Sequence, residues 1–383
     1  MSALVIGAGL AGVVAATRLA DRGVAVQVVA DRPGATALHG GGWYLGLQQL
    51  ARLGLPTPRI GEALAFVGEG LVDLDLLDGP FALLDTDGAR RVVDLAPATH
   101  AAAAAFDGPV ALIDLTGLGH PFAAMLRAAF GDRPTEVVEV PFPDEAAIFD
   151  RSFAALAALL DAPDAQARLR DALTRALTGR AVCGVLLPPV LGVTTAAAQR
   201  QALTEALGLP VAEALGTLPS TPGLRLHRAL EGWLARCGVP VRRGRVERIE
   251  PAEGRVWLDG EAVRAEVIVM ATGGPLPGGL ASDGRVHEPL AGLRLSPALP
   301  HDLLSAVNPT RPYGEALFRT GVAVDAQFRP TRHDGDPVAR GLFAAGDLLG
   351  GPDGVSDACG SGLALLTGFL VAEHAAAMLG GGA

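Results

Sequence analysis

The first thirty residues fall into three hydrophobic patterns. Residues 3 to 7, "ALVIG", form a continuous apolar run closed by glycine, and "AGLAGVVAATRLADRG" carries apolar residues at helical spacing up to Gly23. "VAVQVVA" is a second unbroken apolar run, the pattern of a strand covered on both faces. Together they predict a strand–helix–strand unit of about 30 residues, the opening of a Rossmann-like, doubly wound α/β domain.

Further on, residues 51–215 are richer in alanine and leucine, with prolines at Pro134, Pro141, Pro143, Pro163, Pro188 and Pro189. Within them "VALIDLTGLG" followed by "PFAAMLRAAF", and "AVCGVLLPPVLG" followed by "TTAAAQRQALTEALG", each read as strand, glycine turn and helix. These predict an inserted α/β domain over 51–215, serving as a cap or as a substrate or partner domain. Residues 1–50 and 216–383 then form the discontinuous first domain. In that second portion "TPGLRLHRALEGWLARCG" is an amphipathic helix with Leu226, Leu230, Trp233 and Leu234 on its apolar side. Short strands follow at "VPVRRG", "RVERIE" and "RVWL", and Asp259-Gly260 is a two-residue hairpin signal, so an antiparallel meander is expected. The chain closes with a strand at "GLFAAGD", a glycine-rich loop, and a helix from about Gly362 to Leu379.

A length of 383 residues exceeds what one hydrophobic core usually organises, which supports two domains. Half the residues are hydrophobic and 19% are charged, so a packed core is expected. A net charge of −10 opposes a nucleic-acid partner, whose phosphates need a basic face. All 31 basic residues are arginine, which removes Schiff-base and P-loop lysine chemistry. Cys183, Cys237 and Cys359 are too few and too scattered for a disulfide framework or a metal site. The N-terminus lacks the basic leader of a signal peptide, and no unbroken apolar run reaches the roughly 18 residues of a spanning helix. A cytoplasmic chain is expected, touching the inner face of the cell membrane only through a partner.

Gly7, Gly9 and Gly12 form a GxGxxG loop between strand and helix. The first allows a tight turn, the second lets a pyrophosphate approach the backbone, and the third lets helix and sheet pack closely. Ala8, Leu10 and Ala11 complete the loop. NAD and FAD both fit it. Ala271-Thr272-Gly273 at the end of one apolar strand, and Gly346-Asp347 at the end of another, favour a flavin, because a distant carboxylate suits a polyol chain. Gly360, Ser361, Gly362 and Leu363 open a helix whose N-terminus would face the flavin pyrimidine. FAD is the expected cofactor, since a pyrophosphate loop is wasted on a mononucleotide; FMN is the alternative. Ala30 stands where an acidic residue would grip the adenosine ribose, so Asp31, Arg32 or backbone near Val246 must take that role.

The segments "GAGLAG", "TALHGGGWYLGL", "LGLPVAEALGTLPSTPGLRLHRALEGWLARCG", "VMATGGPLPGGLASDGRVHEPLAGL", "TGVAVDAQFRPT" and "GLFAAGDLLGGPDGVSDACGSGLAL" resemble the B-type subunit of the anaerobic glycerol-3-phosphate dehydrogenase family. The resemblance implies a flavoprotein beside a dehydrogenase A-type subunit and an iron–sulfur C-type subunit that feeds membrane quinone. It leaves two roles open: oxidation of glycerol 3-phosphate on this chain, or relay of its electrons. A divergent FAD-dependent oxidoreductase of another small molecule is the further alternative. Thr36, Leu38, His39 and Gly40 are expected beside the cofactor, with His39 handling a proton. Arg225 and Arg319 are candidates for a substrate phosphate, and His287 and Arg225 for catalysis.

Overall fold

The structure is a computed structural model describing residues 2–52, 54–143, 151–299, 316–354 and 357–380. The chain divides into two compact units. One comprises Met1–Thr36, Tyr44–Gly70 and Leu230–Ala383; the other comprises Ala37–Trp43 and Leu71–Ala229. These limits differ from the expected boundaries at 51 and 216. Residues 51–70 stay with the first unit because the helix Ile60–Gly70 packs there: a Cβ on Gly70 would stand 2.1 Å from the Trp233 indole.

In the first unit β1 (Ala3–Ile6) pairs in parallel with β2 (Val26–Ala30) through helix α1 (Leu10–Asp21). The complete sheet runs Leu342–Ala344, Val267–Met270, β1, β2, Val241–Arg243, all parallel. Every residue of β1 and of Val267–Met270 is buried, which explains why these strands read as unbroken apolar runs. The helix Gly360–Gly380 packs on α1, and Gly368 permits the approach, since a Cβ there would lie 2.5 Å from the Ala11 carbonyl oxygen.

That helix is long and apolar enough to cross a membrane, although glycines and Glu373 interrupt it and so break the continuous apolar run in the sequence. Its apolar surface serves the core of the unit: 61% of the span is buried, and Glu373 accepts hydrogen bonds from Arg18 and Arg22.

Val241–Arg243 departs from expectation. It extends the parallel sheet, held by the Val28 N–H donating to Pro240 and the Gly244 N–H donating to Ala30. The meander starts one strand later, with Val246–Glu250, Arg255–Leu258 and Glu261–Arg264. A short polar strand at a sheet edge has the same sequence pattern in either sheet, so the alternation does not separate them. Its Asp259-Gly260 turn is as expected, with φ of 50° and 79°, the paired left-handed conformation of a tight hairpin.

The second unit holds a parallel sheet in the order Thr135–Pro141, Val110–Thr116, Gly184–Leu187, Val211–Glu213. Both strand–turn–helix segments form, with Val110–Thr116 leading to Phe122–Phe130 and Gly184–Leu187 leading to Ala196–Leu207. An antiparallel ribbon, Leu76–Leu84 with Arg90–Pro97, has no clear sequence signal; most of Leu76–Leu84 is exposed, so no apolar stripe marks it.

Candidate cofactor cleft

A cleft of about 430 Å³ opens in the first unit at the carboxyl ends of β1, β2 and Val267–Met270. The glycine loop forms its floor. Gly7 has a φ of +111°, and a Cβ there would stand 2.2 Å from the Ala271 carbonyl oxygen. A Cβ on Gly12 would stand 2.0 Å from the Gly7 carbonyl oxygen. Gly9 differs: its φ is −79°, and the nearest atom to an added Cβ would be Thr36 Oγ1 at 3.2 Å. The fold requires glycine at 7 and 12, whereas at 9 its main effect is to leave the cleft open to a ligand.

The N–H of Leu10, the first residue of α1, donates to Thr36 Oγ1 at 2.9 Å. The Thr36 hydroxyl hydrogen is then directed elsewhere, in keeping with its expected role as a donor. Thr272 Oγ1 is buried without a hydrogen-bond partner among the described residues. An orphaned hydroxyl on the wall, a backbone cradle and the open N-terminus of α1 are the features a pyrophosphate-bearing ligand would satisfy.

Asp347 lies in the turn Gly346–Leu348 on the same cleft, so the carboxylate and the glycine loop are brought together. Its carboxyl accepts from the Gly274 N–H; the residue keeps an exposed edge, yet desolvation of the carboxyl by the surrounding protein, with the nearby charge of Asp353 adding to it, pushes its pKa up to about 6. Gly274 permits this contact, since a Cβ there would stand 2.6 Å from the carboxylate.

At the opposite end Ala30 closes β2, nearly buried, and Asp31 is exposed. Arg32 extends toward the Pro277 carbonyl at 3.5 Å. Val246 lies in this wall, together with Arg245, Glu247, Pro289 and Leu290, which sequence reasoning did not single out. Their signal is positional: Arg245 and Glu247 flank Val246, and Pro289 ends the "HEP" triplet. Glu288 itself braces that loop, accepting from the N–H groups of Leu290, Ala291 and Leu293.

Some expected site residues are not among those lining the cleft. Gly360, Ser361, Gly362 and Leu363 are not on the cleft wall, although Ala364 is. Gly362 serves packing, because a Cβ there would stand 2.1 Å from the Leu45 carbonyl oxygen. Leu38, His39 and Gly40 belong to the second unit. There Leu38 is exposed, and Gly40 fits against Gly216, whose carbonyl oxygen would lie 2.8 Å from an added Cβ.

His39 Nδ1 accepts from the Gly41 N–H at 3.1 Å, and its ring meets Trp43 edge-on. Burial, with nearby His100 adding to it, lowers its pKa to about 4, so the ring is neutral at physiological pH. His287 sits on the hairpin Ala281–Ser282 with Val286–His287, 3.6 Å from Asp283, and is absent from the cleft wall.

Neither candidate phosphate arginine is available as an unpaired cation. Arg225 and Glu213 form a buried ion pair in the second unit, with Nη1–Oε2 at 2.5 Å and Nη2–Oε1 at 3.1 Å, while Arg225 Nε donates to the Gly192 carbonyl. Arg319 donates to both carboxylate oxygens of Asp357, at 2.9 and 2.8 Å, a partnership that raises its pKa.

A family model described as an FAD binding domain matches residues 135–363, more than half the chain. A Yersinia pestis protein, named as the B-type subunit of anaerobic glycerol-3-phosphate dehydrogenase, is 29% identical over 97% of each chain. A Halobacterium salinarum protein, named as a probable B-type subunit of the same enzyme, is 34% identical over 49% of this chain, and that match spans about half its length, 46%. Among solved structures, 3-ketosteroid delta1-dehydrogenase from Sterolibacterium denitrificans aligns over 98% of this chain and 99% of its own, with 12% identity and a TM-score of 0.46. The cleft's donor set and the family match agree: FAD is the cofactor of this chain, and the chain is a flavoprotein oxidoreductase.

Proposed function

Because this chain belongs to the FAD binding domain family, we propose that it is the flavoprotein B-type subunit of an anaerobic glycerol-3-phosphate dehydrogenase. In this reading FAD bound here would supply the redox chemistry that links oxidation of glycerol 3-phosphate to dihydroxyacetone phosphate with an iron–sulfur C-type subunit and quinone. The observation that carries the reading is the similarity along 97% of both chains to the Yersinia pestis protein of that name. When bound, FAD supplies an acceptor of two electrons that can also release them to a one-electron carrier. The glycine loop and Thr36 would hold its pyrophosphate, Asp347 its polyol chain, and the wall at Arg32 and Arg245 its adenosine end.

Within that reading, electron relay is favoured over alcohol oxidation on this chain. Arg225 and Arg319 are already matched by carboxylates, so a substrate phosphate would have to displace Glu213 or Asp357. His39 has its Nδ1 lone pair engaged by the Gly41 N–H, which places the ring hydrogen on Nε2 and leaves no lone pair to take a hydroxyl proton. An imidazole with a pKa near 4 is also a weak base for that task. The A-type subunit is then the site of oxidation, and this chain works at the cytoplasmic face of the membrane through its partners.

The test is anaerobic mixing of the FAD-loaded chain with glycerol 3-phosphate, alone and with the A-type subunit. Bleaching of the visible flavin band only with the A-type subunit supports relay. Bleaching by substrate alone makes this chain the dehydrogenase, and no bleaching in either mixture overturns the reading.

A further inference from the structure

The second unit contains a small cavity of about 30 Å³ at the carboxyl end of its parallel sheet. Glu213, the last residue of the strand Val211–Glu213, lies beside it, and Ala196, the first residue of the helix Ala196–Leu207, is on its wall. This is the end of a parallel sheet at which ligands generally bind. Gly41, Trp43, His100 and Arg225 form the deep wall, and exposed Ala197 lies at the mouth.

His100 is 1% exposed. Its Nδ1 lies 3.1 Å from the Glu213 backbone carbonyl oxygen. A carbonyl can only accept, so Nδ1 carries the ring hydrogen and Nε2 keeps a lone pair. That Nε2 is buried and has no hydrogen-bond partner among the described residues. It faces Gly41, where a Cβ would stand 2.8 Å away, so a larger residue at 41 would cover it. Burial keeps the ring from protonating, and the Arg225 charge assists, against the opposing pull of Glu213. A buried acceptor of this kind calls for a donor.

Arg225 supplies the complementary group. Three of its N–H bonds go to Gly192 and Glu213, which leaves guanidinium hydrogens over. Its charge is already matched by Glu213, and Asp73 adds a carboxylate to the lining, so the cavity suits a neutral group rather than a phosphate. One fixed acceptor and one fixed donor are what a hydroxyl requires. The volume is about that of one water-sized group.

We propose that this cavity binds the terminal hydroxymethyl group of a small polyol. The hydroxyl donates to His100 Nε2 and accepts from Arg225, and the carbon chain leaves past Ala197. The assignment does not depend on which molecule reduces the flavin, and its test reads binding rather than turnover.

The FAD-loaded full chain, with histidine labelled by nitrogen-15, is titrated with glycerol while the His100 Nε2 resonance is followed. It should move saturably, and Ala197→Leu, a helix-compatible change at an exposed position, should weaken the response at least tenfold by blocking the mouth. A shift that never saturates, or one unchanged in Ala197→Leu, overturns the proposal. So does an Nε2 resonance already hydrogen-bonded and indifferent to glycerol, which would identify a trapped water as the occupant.

Discussion

At the scale of single residues, the three loop glycines separate folding from binding. An alanine at Gly12 would collide with the Gly7 backbone, so Gly12→Ala should yield poorly folded protein. Gly9→Ala meets only Thr36 Oγ1 at 3.2 Å and should fold, yet lose FAD, as absorbance after gel filtration would report. Asp347 gives a second pair of outcomes. Asp347→Asn should weaken FAD binding by about 1.5–3 kcal/mol, the range for a hydrogen bond to a charged group, or roughly ten- to a hundredfold by fluorescence titration. Without cofactor the sign reverses. A carboxyl whose pKa rises from 3.8 to about 6 on folding binds its proton more tightly in the folded state. Its stabilising contribution is therefore full below about pH 4 and lost as pH climbs through 6. The apo wild type should lose thermal stability across that window relative to apo Asp347→Asn. Ala30 is the third case: Ala30→Glu would restore an acidic clasp for the ribose and should tighten FAD by about 1 kcal/mol.

Among the elements, the buried Arg225–Glu213 pair holds three parts of the second unit together. Glu213 ends a strand and also accepts from the Leu191 N–H, while Arg225, on the helix Thr221–Arg236, reaches Gly192. Glu213→Gln leaves a buried guanidinium uncompensated and should destabilise the unit by about 3–5 kcal/mol in denaturant titration, with Arg225→Met added on top recovering only part because the Gly192 carbonyl loses its donor. This pair also shows where sequence reading ends. Arg225 is visible as a basic residue on an amphipathic helix, but Glu213, twelve residues away, lies in "VAEALG", which has no periodicity or motif to mark it as a partner. The first unit is more legible because its chemistry is local: the glycine loop, the strand ending at Ala271 and the turn at Asp347 each announce themselves within a few residues. His100 is silent for the opposite reason, standing at the head of an alanine run with a role that comes from distant Glu213 and Gly41.

For the molecule as a whole, the question is whether the cofactor uses the full length of its cleft. The walls draw on residues 6–11, 29–36, 244–247, 271–273, 277–279, 289–290, 345–347 and 364, segments that meet only in the folded first unit. A ligand binding that surface and not the unfolded chain stabilises this unit by about 2.7 kcal/mol at a hundred times its dissociation constant. For a unit of this size that is a rise of roughly 5–10 °C in melting temperature. FMN lacks the adenylate and would leave the end formed by Ala30, Arg32 and Arg245 unfilled, so at equal concentration it should produce a clearly smaller rise. Because every residue of the cleft belongs to the first unit, calorimetry should show FAD raising the transition of that unit. Equal shifts from FMN and FAD would mean that the adenosine end is not used, and the missing acidic residue at Ala30 would then reflect a site that never held the larger cofactor.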